Sequence, residues 1–156
     1  MTVFYAIIKE KTLGLIAMKN TDELLKELSE TNNITDYISN NEINFADFSL
    51  SEYLKKLLDE KQLTKAEVIR KSELSEIYAY QILSGLKSPT RNKVLCLAFG
   101  MGLNVADTQQ LLKSCNIPFL YAKHKRDSII IFALNKRLSV VEANELLYDI
   151  GEDTLG

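Results

Sequence analysis

Apolar residues recur every three to four positions along most of this chain, the spacing of one face of a helix. Leu50, Tyr53, Leu54, Leu57 and Leu58 form one such set, and Val140, Val141, Leu146, Leu147 and Ile150 another. At the head of five runs stands a side-chain oxygen acceptor followed three residues later by a carboxylate: Asn20 with Glu23, Ser49 with Glu52, Thr64 with Glu67, Asn104 with Asp107, and Ser139 with Glu142. Such pairs satisfy the open backbone donors at a helix start. Turn residues separate the runs at Gly85 to Pro89, Gly102 to Asn104 and Asn116 to Pro118. The pattern predicts an all-α chain with helices over 21–31, 34–40, 50–61, 65–72, 76–84, 90–101, 105–114, 125–137 and 140–150.

The front of the chain breaks this pattern. Val3 to Ile8 and Leu13 to Met18 resemble strands on either side of Lys9, Glu10 and Lys11. Met18 leads directly into the first capped helix, which leaves two readings. Either Met18 is the natural start and residues 1–17 are an extension foreign to the native protein, or those residues form an edge hairpin or appended apolar arm. Behind them the expected parts are an N-terminal helical segment (18–48), a central domain (49–116) and a C-terminal helical hairpin (117–156).

Length and composition, 156 residues with 46% apolar and 26% charged, match ordinary globular proteins. No apolar run approaches a membrane span, so a cytoplasmic protein without membrane contact is expected. Cys96 and Cys115 lack CxxC spacing and His124 is the single histidine, which leaves zinc, haem and thioredoxin chemistry without ligands; buried, reduced thiols and no cofactor are expected. An enzyme is not expected either. One histidine in a cationic turn orders no Ser, His and Asp set, there is no GxxxxGK loop, and carboxylate pairs such as Asp59 with Glu60 belong to outward helix faces. The net charge of −2 conceals a division: residues 1–61 carry −4, residues 62–95 carry +3, and residues 96–156 carry −1. A basic middle in an acidic protein can steer one face towards phosphate.

Residues 63–107 carry the most information, reading LTKAEVIRKSELSEIYAYQILSGLKSPTRNKVLCLAFGMGLNVAD. The order is a short capped helix, a tight turn, a second short helix, a basic loop and a longer apolar helix. Two short helices so closely joined cross steeply, which presents the second at the surface. Val68 and Ile69 on the first, Leu74 in the turn, and Ala79, Ile82 and Leu83 on the second supply the core that fixes the crossing.

Over about residues 50–114 the chain resembles the Cro and phage-repressor class of helix-turn-helix domains, the XRE or lambda repressor-like family. The resemblance rests on LTKAEV at the first motif helix, Leu74 followed by Ser75, the exit Gln81-Ile82-Leu83-Ser84-Gly85, Pro89 in the basic loop, and the closing LAFGMGLNVADT. Two positions depart from the family: Ile69 replaces a small residue, and Glu73 replaces the glycine that opens the turn. A non-glycine residue in a left-handed turn costs on the order of 1 kcal/mol.

The resemblance implies a five-helix domain whose second motif helix, about 76–84, lies in the major groove of operator DNA. Carried over residue by residue, it assigns base reading to Glu76, Ile77 and Gln81, and places Ser75 and Tyr80 near the DNA backbone or groove wall. It sets Lys65, Lys87, Ser88, Thr90, Arg91 and Lys93 against phosphates. Gln81 can pair with adenine, Glu76 can accept from the cytosine amino group, and Ile77 can touch a thymine methyl, while the set offers no Lys or Arg to guanine. The implied function is sequence-specific transcriptional regulation on double-stranded DNA, as a homodimer on half-sites about one helical turn apart. Glu73 and Glu76 oppose it, because two carboxylates at the start of the reading helix repel a phosphate backbone. They support a second reading, a protein-interaction adaptor or antitoxin that binds a polypeptide through the same helix or the C-terminal hairpin.

That hairpin follows in KHKRDSIIIFALNKRLSVVEANELLYDIG, two amphipathic helices joined at Leu138 and Ser139. The run Ile129 to Leu134 is apolar almost all round and must be covered, either by the central domain with the N-terminal helix or by a second copy. Lys123, His124, Lys125 and Arg126 are placed to add phosphate contacts if they face the DNA.

Overall fold

A computed structural model describes residues 19–45 and 49–156, and these are all-α with no strand among them. The strand-like stretches and the 1–17 extension lie outside the described residues. The helices are α1 (Thr21–Glu30), α2 (Ile34–Asn40), α3 (Leu50–Glu60), α4 (Lys65–Ser72), α5 (Glu76–Leu83), α6 (Arg91–Gly100), α7 (Val105–Ser114), α8 (Lys125–Asn135) and α9 (Val140–Asp149), with a 3-10 turn at Glu42–Phe45.

The capping residues place the helix starts. Reciprocal capping boxes form at Asn20 with Glu23, Ser49 with Glu52 and Ser139 with Glu142. At α4 and α7 only half of the box forms: Thr64 and Asn104 accept the backbone N–H of Glu67 and Asp107. The two carboxylates turn to lysines instead, Glu67 to Lys71 at 2.9 Å and Asp107 to Lys61 at 3.2 Å. Several helices end one or two residues before the positions expected from periodicity. The chain leaves each helix from α3 to α9 through a residue of positive φ, at Gln62, Glu73, Gly85, Gly102, Asn116, Arg137 and Gly151. In most cases the next amide then bonds back to the last turn, as Leu63 to Leu58 and Leu138 to Ala133 do.

The chain divides into two units, 1–47 and 48–156. In the first, the α1–α2 hairpin is tied by a polar knot around Asn41, which is 1% exposed. Its amide donates to Glu27 and to the Tyr37 carbonyl and accepts from Lys19 and Asn44.

The second unit has one apolar core, drawn from α3 to α9 and the C-terminal tail. α6 runs through it, packed against α4, α7 and α9, and every residue from Val94 to Gly100 is buried. Gly100 permits the approach to α4: a Cβ there would lie 2.8 Å from the Val68 carbonyl oxygen and 3.0 Å from the Ser72 nitrogen. α8 and α9 form the expected hairpin. Ile129, Ile130, Ala133 and Leu134 are buried in the same core as the preceding helices, while Ile131 is half-buried and Phe132 is 50% exposed on the outer side of the run. Leu155 closes that end, 1% exposed, with its amide donating to the Asn144 side chain.

Cys96 is buried and Cys115 half-buried, both as free thiols, and burial pushes both up from the ordinary thiol range, against thiolate chemistry. Among the described residues no helix is long and apolar enough to cross a membrane.

Candidate nucleic-acid interface

Three residues, Glu73 to Ser75, join α4 to α5. Glu73 takes the left-handed conformation at φ +57°, in the place where the family pattern has glycine. Leu74 packs against the core, and the Ser75 hydroxyl caps α5 by accepting the Tyr78 amide at 3.3 Å. The turn thus fixes where α5 begins with two anchors, one apolar and one polar. Glu73→Gly is expected to stabilise the unit by about 1 kcal/mol, because glycine carries no Cβ penalty in this conformation. Thermal unfolding measures it; an unchanged or lower melting temperature would contradict the assignment of strain to this residue.

At 100° per residue, α5 divides cleanly. Ala79, Ile82 and Leu83 face the core. Glu76, Ile77, Tyr80 and Ser84 are exposed, and Gln81 is half-buried at one edge of that outward arc. Ile77, at 75% exposure, stands furthest into solvent among the helix's apolar residues, with Tyr80 at 43% one turn on. The three expected base readers therefore share a face with Tyr80 at its middle. Beside Glu76 the arc borders an open cleft between α4 and α5 of about 470 Å³, lined by Ile69, Arg70, Glu73, Ser75, Glu76 and Tyr80.

Of the expected phosphate contacts, Lys65 is exposed in the first turn of α4, Ser88 and Thr90 are exposed in the loop, and Lys93 is half-buried in α6. Lys87 lies over the Tyr78 ring with its ammonium 5.5 Å from the centroid, which holds a flexible cation at the Gln81 edge of α5. Thr90 precedes α6 without making a side-chain cap.

Arg91 requires a correction. Its guanidinium forms a bidentate pair with Asp127 of α8, at 3.0 and 2.9 Å, and donates further to the carbonyls of Pro118 and Phe119. Asp127 is 4% exposed and also accepts the Tyr121 amide. Burial pushes its carboxyl up, but the Arg91 and Tyr121 hydrogen bonds and the charges of Arg91 and His124 outweigh that and hold it below the usual value. Arg91 therefore clasps the C-terminal hairpin onto α6. Two of the four residues Lys123 to Arg126 are likewise engaged within the fold. Arg126 donates to the carbonyls of Asp153 and Thr154 and to Asn92, and Lys125 donates to the Ile150 carbonyl and pairs with Glu152. His124 is exposed and stands edge-on to Tyr121.

Arg70 was missed by the sequence reading. It is exposed in the last turn of α4 and lines the cleft beside Glu73 and Glu76. The available signal was the short turn: with three residues between the helices, the end of α4 stays close to the start of α5.

Compared with protein-family models, with curated proteins and with solved structures, the chain gives no match.

Proposed function

We propose that the chain is a sequence-specific DNA-binding transcriptional regulator of the Cro and phage-repressor class. In this reading α3 to α7 form the lambda repressor-like five-helix domain and α5 enters the major groove of operator DNA. The observation that carries it is the presentation of α5: a capped helix with one face in the core and the opposite arc, Glu76, Ile77, Tyr80 and Ser84, exposed. Lys65, Arg70, Lys87 and Lys93 lie on the segments flanking that helix, suited to phosphate contact. One eight-residue helix contacts few base pairs, so the proposal includes a homodimer on half-sites about one helical turn apart.

Binding to genomic fragments over a range of salt concentrations tests it. Lys65→Ala and Lys87→Ala are each expected to weaken binding on all sequences alike and to reduce the logarithmic salt slope by about 0.9. Gln81→Ala is expected to relax preference at one base position, at a cost of about 1 to 3 kcal/mol. Equal loss on every sequence for Gln81→Ala contradicts the groove assignment.

A second reading, a protein-interaction adaptor or antitoxin, is favoured by a specific feature of the same face. Glu73 and Glu76 are exposed beside Ile77 and Tyr80, and Leu86 in the following loop is 79% exposed. An apolar surface edged by carboxylates suits a polypeptide with a basic rim better than it suits phosphate. The outer face of the hairpin is a further candidate surface, with Tyr148 77% exposed.

A further inference from the structure

The chemistry of the α5 arc narrows which DNA it can read, an inference that rests on the DNA reading above. Recognition of guanine is most often made by a Lys or Arg fork to its O6 and N7. No residue from Glu76 to Leu83 is basic. At the middle of the arc stand Ile77, which has no hydrogen-bonding group in its side chain, and Tyr80, which presents a ring. Ile77 is held in the first turn of a capped helix, the part that approaches base edges most closely. In the major groove the one apolar group on a base edge is the thymine 5-methyl. The attractive base contact open to Ile77 is therefore to cover that methyl. Tyr80, one turn further on and at 43% exposure, can extend the same contact with its ring while its hydroxyl remains a hydrogen-bonding group.

We propose that the chain recognises thymine methyl groups, with Ile77 as the specificity-determining residue and Tyr80 beside it, so that its preferred duplexes are thymine-rich in the groove that α5 enters. Covering one methyl shifts binding by about fourfold.

The test uses the full chain and a random-sequence duplex library. The most enriched duplex is resynthesised with deoxyuridine at every thymidine, which removes the methyls and leaves the hydrogen-bonding edges intact. The wild type is expected to bind the uracil duplex at least about fourfold more weakly. Ile77→Ala, at a solvent-exposed helix position where alanine favours the helix, is expected to lose most of that discrimination and keep only the share Tyr80 supplies. Equal binding of both duplexes by the wild type overturns the proposal while leaving DNA binding standing. An undiminished thymine preference in Ile77→Ala also overturns it, because Ile77 then does not carry the preference, whether another side chain or duplex stiffness does. Failure to enrich any sequence overturns the DNA reading and this proposal with it.

Discussion

Arg91→Ala is expected to lower the stability of the second unit by about 3 to 5 kcal/mol, because it leaves the Asp127 carboxylate buried without its cation. The loss includes three groups that depend on the guanidinium: the carboxylate itself and the carbonyls of Pro118 and Phe119. Arg91→Lys should recover little, since an ammonium cannot reproduce the two parallel bonds to Asp127. Replacing both partners, Arg91→Met with Asp127→Leu, should recover most of it, because no unpaired charge then remains inside. Asp127 binds its proton less readily folded than unfolded. The clasp therefore contributes fully above the ordinary carboxylate range, near pH 4, and is lost as the pH falls through the lower folded value. The wild-type advantage over the doubly apolar variant should then be constant from about pH 6 to 8 and shrink in acid. Urea unfolding of the four proteins measures all of this. A folded Arg91→Ala protein of unchanged stability that has lost DNA affinity would return Arg91 to the phosphate contacts.

Gly100→Ala is expected to destabilise the unit by about 3 kcal/mol, although alanine is favoured over glycine inside a helix by roughly 1 kcal/mol. The added carbon would meet the Val68 carbonyl oxygen at 2.8 Å and the Ser72 nitrogen at 3.0 Å. Both are backbone atoms of α4, so relief requires α4 and α6 to separate, and α4 carries the turn that positions α5. Gly102→Ala is the control: its Cβ meets nothing within 4 Å, and only the positive φ of +63° opposes it, at about 1 kcal/mol. If Gly100→Ala proves as mild as Gly102→Ala, the close α4 to α6 contact is not what sets the geometry of the motif.

What the sequence made legible, and what it did not, follows the range of the interactions. Helix starts depend on a side chain three residues from its partner amide, and Asn20, Ser49, Thr64, Asn104 and Ser139 mark them directly. The α4–α5 turn is equally local, and the strained Glu73 is visible as a departure from glycine. Arg91 is the opposite case. Its partner Asp127 lies 36 residues away, and nothing near Arg91 distinguishes a clasp from the neighbouring cations Lys87 in the loop and Lys93 in α6. The partners of Arg126 and Lys125 were hidden for the same reason, since the carbonyls they serve belong to the C-terminal tail. Gly100 reads as an ordinary helix weakness until the backbone of α4 is seen against it. The base-reading candidates came from the family resemblance; helical periodicity adds that Glu76, Ile77 and Gln81 share one arc with Tyr80 and Ser84 at its middle.

The central claim is that α5 reads DNA sequence. Its most direct test is the recovery of genomic fragments by the purified chain at near-physiological salt, with a Lys65→Ala, Gln81→Ala double variant in parallel. Both positions lie away from the Arg91 clasp, so the variant should fold like the wild type. The account predicts a shared motif of two symmetric half-sites about one helical turn apart, enriched by the wild type and lost by the variant. Fragments without a shared motif, or the same enrichment with both proteins, would contradict it.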